Sequence, residues 1–363
     1  MERFILKLKD IDSIPPTPEG LADIGNGVNS FIYRGEHLAE IQDKFGRTGC
    51  CLKIFKNREK FKADPSLKWW GDSHPIKGSR LNEATHIQNI FAYHGLAPRV
   101  YALIIVKIKD TRYWAQLTDD LGTQWGTEEE QQMIIKGKIK EIADKYNITI
   151  FDDGRETNIM QGKYIDFQGF HLPENYEEEL KQRLIGVANV GKWGPWMNYH
   201  SVKKLGIQGG RNNKQRIKEM KLNKIDFENK TVLDIGCSEG FFCNYAANKG
   251  AKRVIGIDLP GVVEPVQELS SYEGYYNTDY IGGDLSNVIY SDMADIIFFF
   301  SMVQHIGMPE WLHGATAELL VFEGNGKDRD REGFKYLTDN FTRVDEIGKT
   351  TDLFERTVLW ARR

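Results

Sequence analysis

Two rhythms of apolar positions run along the chain. In the second half, short apolar runs alternate with amphipathic stretches: Thr231–Ile235, Lys252–Leu259, Tyr280–Leu285, Asp295–Phe300 and Glu318–Glu323. Runs this short and this continuously apolar are the pattern of strands buried on both faces of a parallel sheet. Between the first two, Phe241–Lys249 reads as an amphipathic helix closed by Gly250. In the first half, Asp23–Gly35 holds two apolar stretches around a glycine turn, Cys51–Phe55 is strand-like with a lysine inside it, and Pro98–Val106 resumes as strand. Leu81–His94 places Leu81, Ala84, Ile87, Ile90 and Phe91 on one helical stripe, and Ile134–Asn147 is a second amphipathic helix. Met1–Glu19 reads as a polar lead broken by Pro15, Pro16 and Pro18, and Glu174–Val190 as a charged helix.

The stretch TVLDIGCSEGFFC (Thr231–Cys243) concentrates the candidate chemistry: a strand carrying Asp234, a turn bounded by Gly236 and Gly240, and a helix start. Glycines permit positive φ and close ligand approach, and the helix start offers N–H groups without intrahelical partners. Asp258 ends the next strand, where a carboxylate can accept hydrogen bonds from both hydroxyls of a ribose. The turn lacks the three-glycine spacing of dinucleotide sites. Together with Asp284 and Ser301 at the ends of later runs, these residues resemble class I S-adenosylmethionine-dependent methyltransferases from Phe227 to Arg363. The resemblance implies an α/β fold with a Rossmann-like seven-stranded sheet, closed by Phe341–Gly348 and Arg356–Arg362 as an antiparallel pair. It further implies that Asp234, Gly236 and Gly240 surround the methionine part of S-adenosylmethionine, Asp258 the ribose and Asp284 the adenine, with Ser301 and His305 flanking the methyl group. His305 is then the first candidate base, because imidazole titrates near working pH, and Glu323 at the end of the fifth strand is the second.

The first half combines a glycine turn, a strand lysine, a helix glutamate, an Asp followed five residues later by Asn, and a later Asp-Phe pair. In this order they resemble protein-kinase-like phosphotransferases. That resemblance implies a compact α+β domain binding ATP and Mg²⁺, with Gly25 and Gly27 in the phosphate loop, Lys53 on the nucleotide phosphates and Glu83 as its ion-pair partner. Asp153 becomes the catalytic base, and Asn158 and Asp166 the metal ligands. The pattern departs from the family in three places: no His precedes Asp153, Gln168 stands where a third motif glycine is expected, and so little chain separates Asp166 from the next domain that any C-terminal lobe is very small.

At 363 residues the chain exceeds the usual size of a single core. The expected organisation is a kinase-like domain over 1–172, linker helices with an aromatic and basic segment over 173–226, and a methyltransferase domain over 227–363. A net charge of −4 argues against a general polyanion binder. Nowhere do about twenty apolar residues run together as a membrane span requires. Cys50, Cys51, Cys237 and Cys243 lack metal-ligand spacing and suit reduced thiols, so the expected compartment is the cytoplasm. Gly191–His200, rich in aromatic residues, suits stacking on a flat or sugar-like ligand, and Ser201–Lys230 carries nine Lys or Arg against three acids. The fused halves resemble bifunctional enzymes that methylate and phosphorylate polysaccharide chains, which implies a saccharide or small-molecule acceptor. The alternatives are an RNA methyltransferase using the basic stretch, and a methyltransferase regulated by a nucleotide-binding first half that transfers no phosphate.

Overall fold

The computed structural model describes residues 5–8, 21–23, 30–33, 38–55, 78–108, 111–122, 129–150, 159–165, 167, 169–188, 200–288, 293–351 and 355–363. The chain forms two compact units, Met1–Tyr176 with Ser271–Tyr276, and Glu177–Ser270 with Asn277–Arg363. No described helix is long and apolar enough to cross a membrane.

The first unit contains β1 (Ile5–Leu8), β2 (Leu21–Asp23), β3 (Ser30–Tyr33), α1 (Leu38–Lys44), β4 (Cys50–Phe55), α2 (Gly78–Tyr93), β5 (Val100–Ile108) and β6 (Thr111–Asp119). The strands form a six-stranded sheet in the order β1-β5-β6-β4-β3-β2. Its pairings are antiparallel except at the edge, where β1 runs parallel to β5 with Ile5 opposite Ile105. The polar lead expected over Met1–Glu19 therefore contains a strand, since four residues are too short to show a period. Strand β6 was also not expected, because TRYWAQLTD mixes polar and apolar residues on both faces. Leu38 and Ile41 of α1 join Leu52, Ile54, Ile104, Ala115 and Leu117 in one buried cluster. After α3 (Glu129–Lys145) come short pairs formed by β7 (Thr149–Ile150), β8 (Ile159–Met160), β9 (Lys163–Tyr164) and β10 (Phe170–His171), β8 with β9 and β7 with β10. Phe91, Tyr164, Phe167 and Phe170 pack there with ring centroids 5.0–5.5 Å apart.

Helices α4 (Tyr176–Ala188) and α5 (Asn213–Glu219) precede the sheet of the second unit. That sheet alternates β11 (Thr231–Ile235), α6 (Phe241–Asn248), β12 (Arg253–Asp258), α7 (Pro260–Glu273), β13 (Thr278–Gly282) and β14 (Ile296–Phe300). It continues with α8 (Val303–Ile306), α9 (Trp311–Gly314), β15 (Leu319–Glu323), α10 (Lys327–Asn340), β16 (Arg343–Lys349) and β17 (Thr357–Arg362). The order is β13-β12-β11-β14-β15-β17-β16, with the first five strands parallel and β17 antiparallel to both neighbours. Leu233, Ile235, Ile255, Ile297, Phe299, Leu320 and Phe322 share one buried cluster with Leu359 and Ala361 of β17. From β11 the chain steps outward to β12 and β13, then crosses back to β14 and β15. The strand order thus reverses between β11 and β14, and ligands of open α/β sheets lodge outside the carboxyl ends at such a point.

The end of α5, within the stretch expected as a linker over 173–226, is bonded to residues of the second unit. The Trp360 indole N–H donates to the Met220 carbonyl at 3.1 Å. The Thr351 N–H donates to Glu219 Oε1 at 3.1 Å.

Candidate functional site

The turn after β11 is built from positive φ. Gly236, Ser238 and Gly240 have φ of 74°, 48° and 72°. Space is as restrictive as conformation: a Cβ on Gly236 would stand 2.3 Å from Met302 Sδ, and one on Gly240 would stand 2.4 Å from Tyr280 Oη. Glycine at these positions therefore lets the β14 loop and β13 close against the turn. Gly240 caps α6, and the Gly236 N–H donates to the Ile257 carbonyl at 2.8 Å, which ties the turn to β12.

Asp234 is only 2% exposed, and Cys243 Sγ donates to its Oδ2 at 3.3 Å. Burial pushes its carboxyl from 3.8 up to about 7. An acid whose folded pKa is raised contributes its stability in full below the unfolded pKa, and that contribution is lost as pH rises through the folded value. The window here runs from about pH 4 to about pH 7. Asp234→Asn should accordingly gain stability over the wild type as pH rises across it, by up to roughly 4 kcal/mol. Thermal melts at pH 4 to 8 measure the gap between the two proteins; a gap independent of pH contradicts the assignment.

At the end of β12, Asp258 Oδ2 accepts the Ser238 N–H and Oδ1 accepts the Leu259 N–H, both at 2.8 Å. Burial raises its pKa, opposed by those two bonds and by the charge of His305. Each oxygen keeps a lone pair beyond the backbone bond, so the carboxylate can also accept from two hydroxyls. Beyond β13, Asp284 accepts the Ser286 N–H at 2.9 Å and its hydroxyl at 2.7 Å, and these bonds lower its pKa.

At the ends of β14 and β15 lies a buried polar cluster. Ser301 has φ 59° and is 9% exposed. Its Oγ donates to Glu323 Oε2 at 2.6 Å and its N–H to the Glu323 carbonyl at 2.8 Å. Glu323 is fully buried and takes both prongs of the Arg216 guanidinium, Nε at 3.1 Å and Nη2 at 2.5 Å, with Arg356 Nη1 3.9 Å away. On α8, His305 is exposed, with Nε2 3.0 Å from Gln304 Nε2.

Residues 232–320 match the family model described as "Methyltransferase domain". This stretch is a methyltransferase domain. Its first acid, glycine turn and second acid are the site just described. Over 90 residues the chain is 33% identical to Protein arginine N-methyltransferase 1 of Saccharomyces cerevisiae, covering 25% of this chain and 24% of the relative. Over 93 residues it is 31% identical to the Ubiquinone biosynthesis O-methyltransferase of Saccharophagus degradans, covering 25% of this chain and 39% of the relative. The chain spans 24% and 39% of these two relatives' length. The crystal structure of a SAM dependent methyltransferase from Aquifex aeolicus aligns with 41% of this chain and 93% of its own, at 19% identity and a TM-score of 0.34.

The methyltransferase domain brings Asp234, Gly236, Gly240, Asp258 and Asp284 to the carboxyl edge of β11, β12 and β13, and Ser301, His305 and Glu323 to that of β14 and β15. Three participants were not singled out from sequence. Arg216 sits in the basic stretch, whose lysines Lys203, Lys214, Lys218, Lys221 and Lys224 are exposed, yet it is 4% exposed itself and stands 4.9 Å over the Phe242 ring. Glu239, inside the glycine turn, is 3% exposed and accepts the Ser238 hydroxyl at 2.5 Å and the His200 N–H at 3.3 Å. His200 closes the aromatic segment and is an interior residue: its ring stacks on Phe241 at 5.4 Å, Nδ1 lies 2.7 Å from Asn213 Oδ1, and burial depresses its pKa to about 3. Isolated charges in a charged stretch carry no periodicity that marks them as buried.

In the first unit, Lys53 lies on β4 and its ammonium donates to the Ile165 carbonyl at 2.8 Å. Glu83 lies on α2, accepts the Leu172 N–H at 3.1 Å and stands 4.0 Å from His171 Nδ1. Gly25, Gly27, Asp153, Asn158 and Asp166 lie outside the described residues.

Proposed function

We propose that the chain is an S-adenosylmethionine-dependent methyltransferase acting on a hydroxyl of a saccharide, with an N-terminal kinase-like unit working on the same acceptor. The observation that carries the first part is the row of acids, Asp234, Asp258 and Asp284, at three successive strand ends around a positive-φ glycine turn. Asp234 and Asp258 are both raised by burial. Desolvated carboxylates of this kind suit a ligand that brings positive charge and hydroxyls, and so they fit this cofactor. S-adenosylmethionine supplies the methyl as an electrophilic carbon on a sulfonium.

The rest of the chemistry belongs to the chain. Asp258 would hold the ribose hydroxyls, Asp234 and the turn would hold the methionine part, and Asp284 would border the adenine. Methyl transfer is an in-line displacement, so alignment of the acceptor and removal of its proton are what remain. We assign the base to His305, which is exposed, and not to Glu323, which is buried with its oxygens engaged by Arg216 and Ser301. For the first unit, the support is a sheet antiparallel except at its β1 edge, with Lys53 on a strand and Glu83 on the following long helix. Kinase-like enzymes use a strand lysine and a helix glutamate in holding ATP and Mg²⁺, which is what motivates this part of the reading.

The test is incubation with methyl-labelled S-adenosylmethionine and fractionated cell glycans, small molecules and RNA, with and without ATP and Mg²⁺. Label should enter the glycan fraction, with phosphorylation of the same fraction when ATP is present. Salt-sensitive labelling of RNA overturns the saccharide reading in favour of the exposed lysines of 201–230. Altered methylation with no phosphorylated product makes the first unit a regulator.

A further inference from the structure

A buried arginine-glutamate pair is weak evidence for stability, because two desolvated ions regain little more than they lose. Arg216 and Glu323 are 4% and 0% exposed, and the arginine comes from a helix that precedes the whole sheet in sequence. Such a pair calls for a reason other than stability, and its neighbours supply one. Glu323 holds Ser301 twice, through the side-chain oxygen at 2.6 Å and the backbone carbonyl at 2.8 Å. Ser301 occupies a left-handed conformation at φ 59°, which a residue with a Cβ keeps only when its surroundings impose it. The Ser301 carbonyl is held in turn by Asn325 Nδ2 at 3.1 Å, and Asn325 Oδ1 accepts the Gln304 N–H at 3.3 Å. Asn325 is itself fixed, its N–H donating to the buried Asp330 at 2.8 Å.

This chain of contacts ends at the candidate site. Met302, next to Ser301, has its sulfur where a Cβ on Gly236 would fall, and α8, which carries His305, starts one residue later. We propose that Arg216 is a positioning residue: by gripping both oxygens of Glu323 it fixes the Ser301 turn, and through that turn the placement of Met302 against the cofactor loop and of His305 over the acceptor. The fork geometry matters here more than the charge, since a bidentate guanidinium sets the carboxylate's orientation and an ammonium does not. The inference rests on the methyltransferase reading of the site.

The test is hydrogen exchange of the full chain, wild type, Arg216→Lys and Ser301→Ala, together with titration by S-adenosylhomocysteine. Exchange over 301–306 should quicken at least tenfold in Arg216→Lys and less in Ser301→Ala, which loses a single bond. Exchange over 231–235 should stay at the wild-type rate in both variants, and the S-adenosylhomocysteine affinity of Arg216→Lys should stay within about threefold. Unchanged exchange over 301–306 in both variants overturns the inference, as does a uniform rise across the domain, which marks a purely structural pair. Should Arg216→Lys fail to fold, Ser301→Ala decides alone. Failure of the wild type to bind S-adenosylhomocysteine instead refutes the underlying cofactor reading, whatever the exchange pattern.

Discussion

Replacing His305 with alanine should lower methyl transfer by about 10²–10⁴-fold and leave cofactor affinity nearly unchanged. The size follows from the chemistry of the acceptor. A hydroxyl is a poor nucleophile until its proton begins to leave, and a positioned base that takes the proton in the transition state contributes on that scale. His305 is the exposed titratable group on α8, the short helix that follows β14 at the carboxyl edge of the sheet. Single-turnover transfer to the labelled fraction, measured beside calorimetric binding, separates the two quantities. Retained turnover in His305→Ala with loss in Glu323→Gln would return the base to Glu323 and contradict the division of roles drawn here.

The second large effect is expected at Asp258. Its alanine variant should bind S-adenosylhomocysteine more weakly by roughly 2–3 kcal/mol, because two ribose hydroxyls lose a charged acceptor and are left without partners on binding. The variant also frees the Ser238 and Leu259 N–H groups, which both point at this carboxylate. Asp258→Asn is therefore the informative companion: its one remaining oxygen can serve one backbone donor and one hydroxyl, so its loss should be intermediate. Equal affinity of folded Asp258→Ala and wild type would remove the ribose from this position.

The five parallel strands of the second sheet were legible because they are largely buried and rich in apolar residues, and because a polar residue stands at or just beyond the same end of each. Asp234, Asp258 and Asp284 stood out for that reason. Strand β1 was not legible, since ILKL carries too few residues to distinguish a strand from a lead, and β6 was hidden by Arg112, Gln116 and Thr118 within its run. Arg216 was hidden differently. Among nine basic residues between Ser201 and Lys230 nothing local separates the one that turns inward, because its partner Glu323 lies 107 residues further on. The distinction between a base and an anchored carboxylate at Glu323 has the same origin: it depends on who stands beside the side chain, and strand position alone does not say.

The claim on which the rest depends is that the edge of β11, β12 and β14 binds S-adenosylmethionine. Titrating the folded full chain with S-adenosylhomocysteine, with NAD⁺ as competitor, tests it most directly. One saturable site per chain that NAD⁺ does not displace is the expected result. The absence of saturable binding, or displacement by NAD⁺, would contradict it.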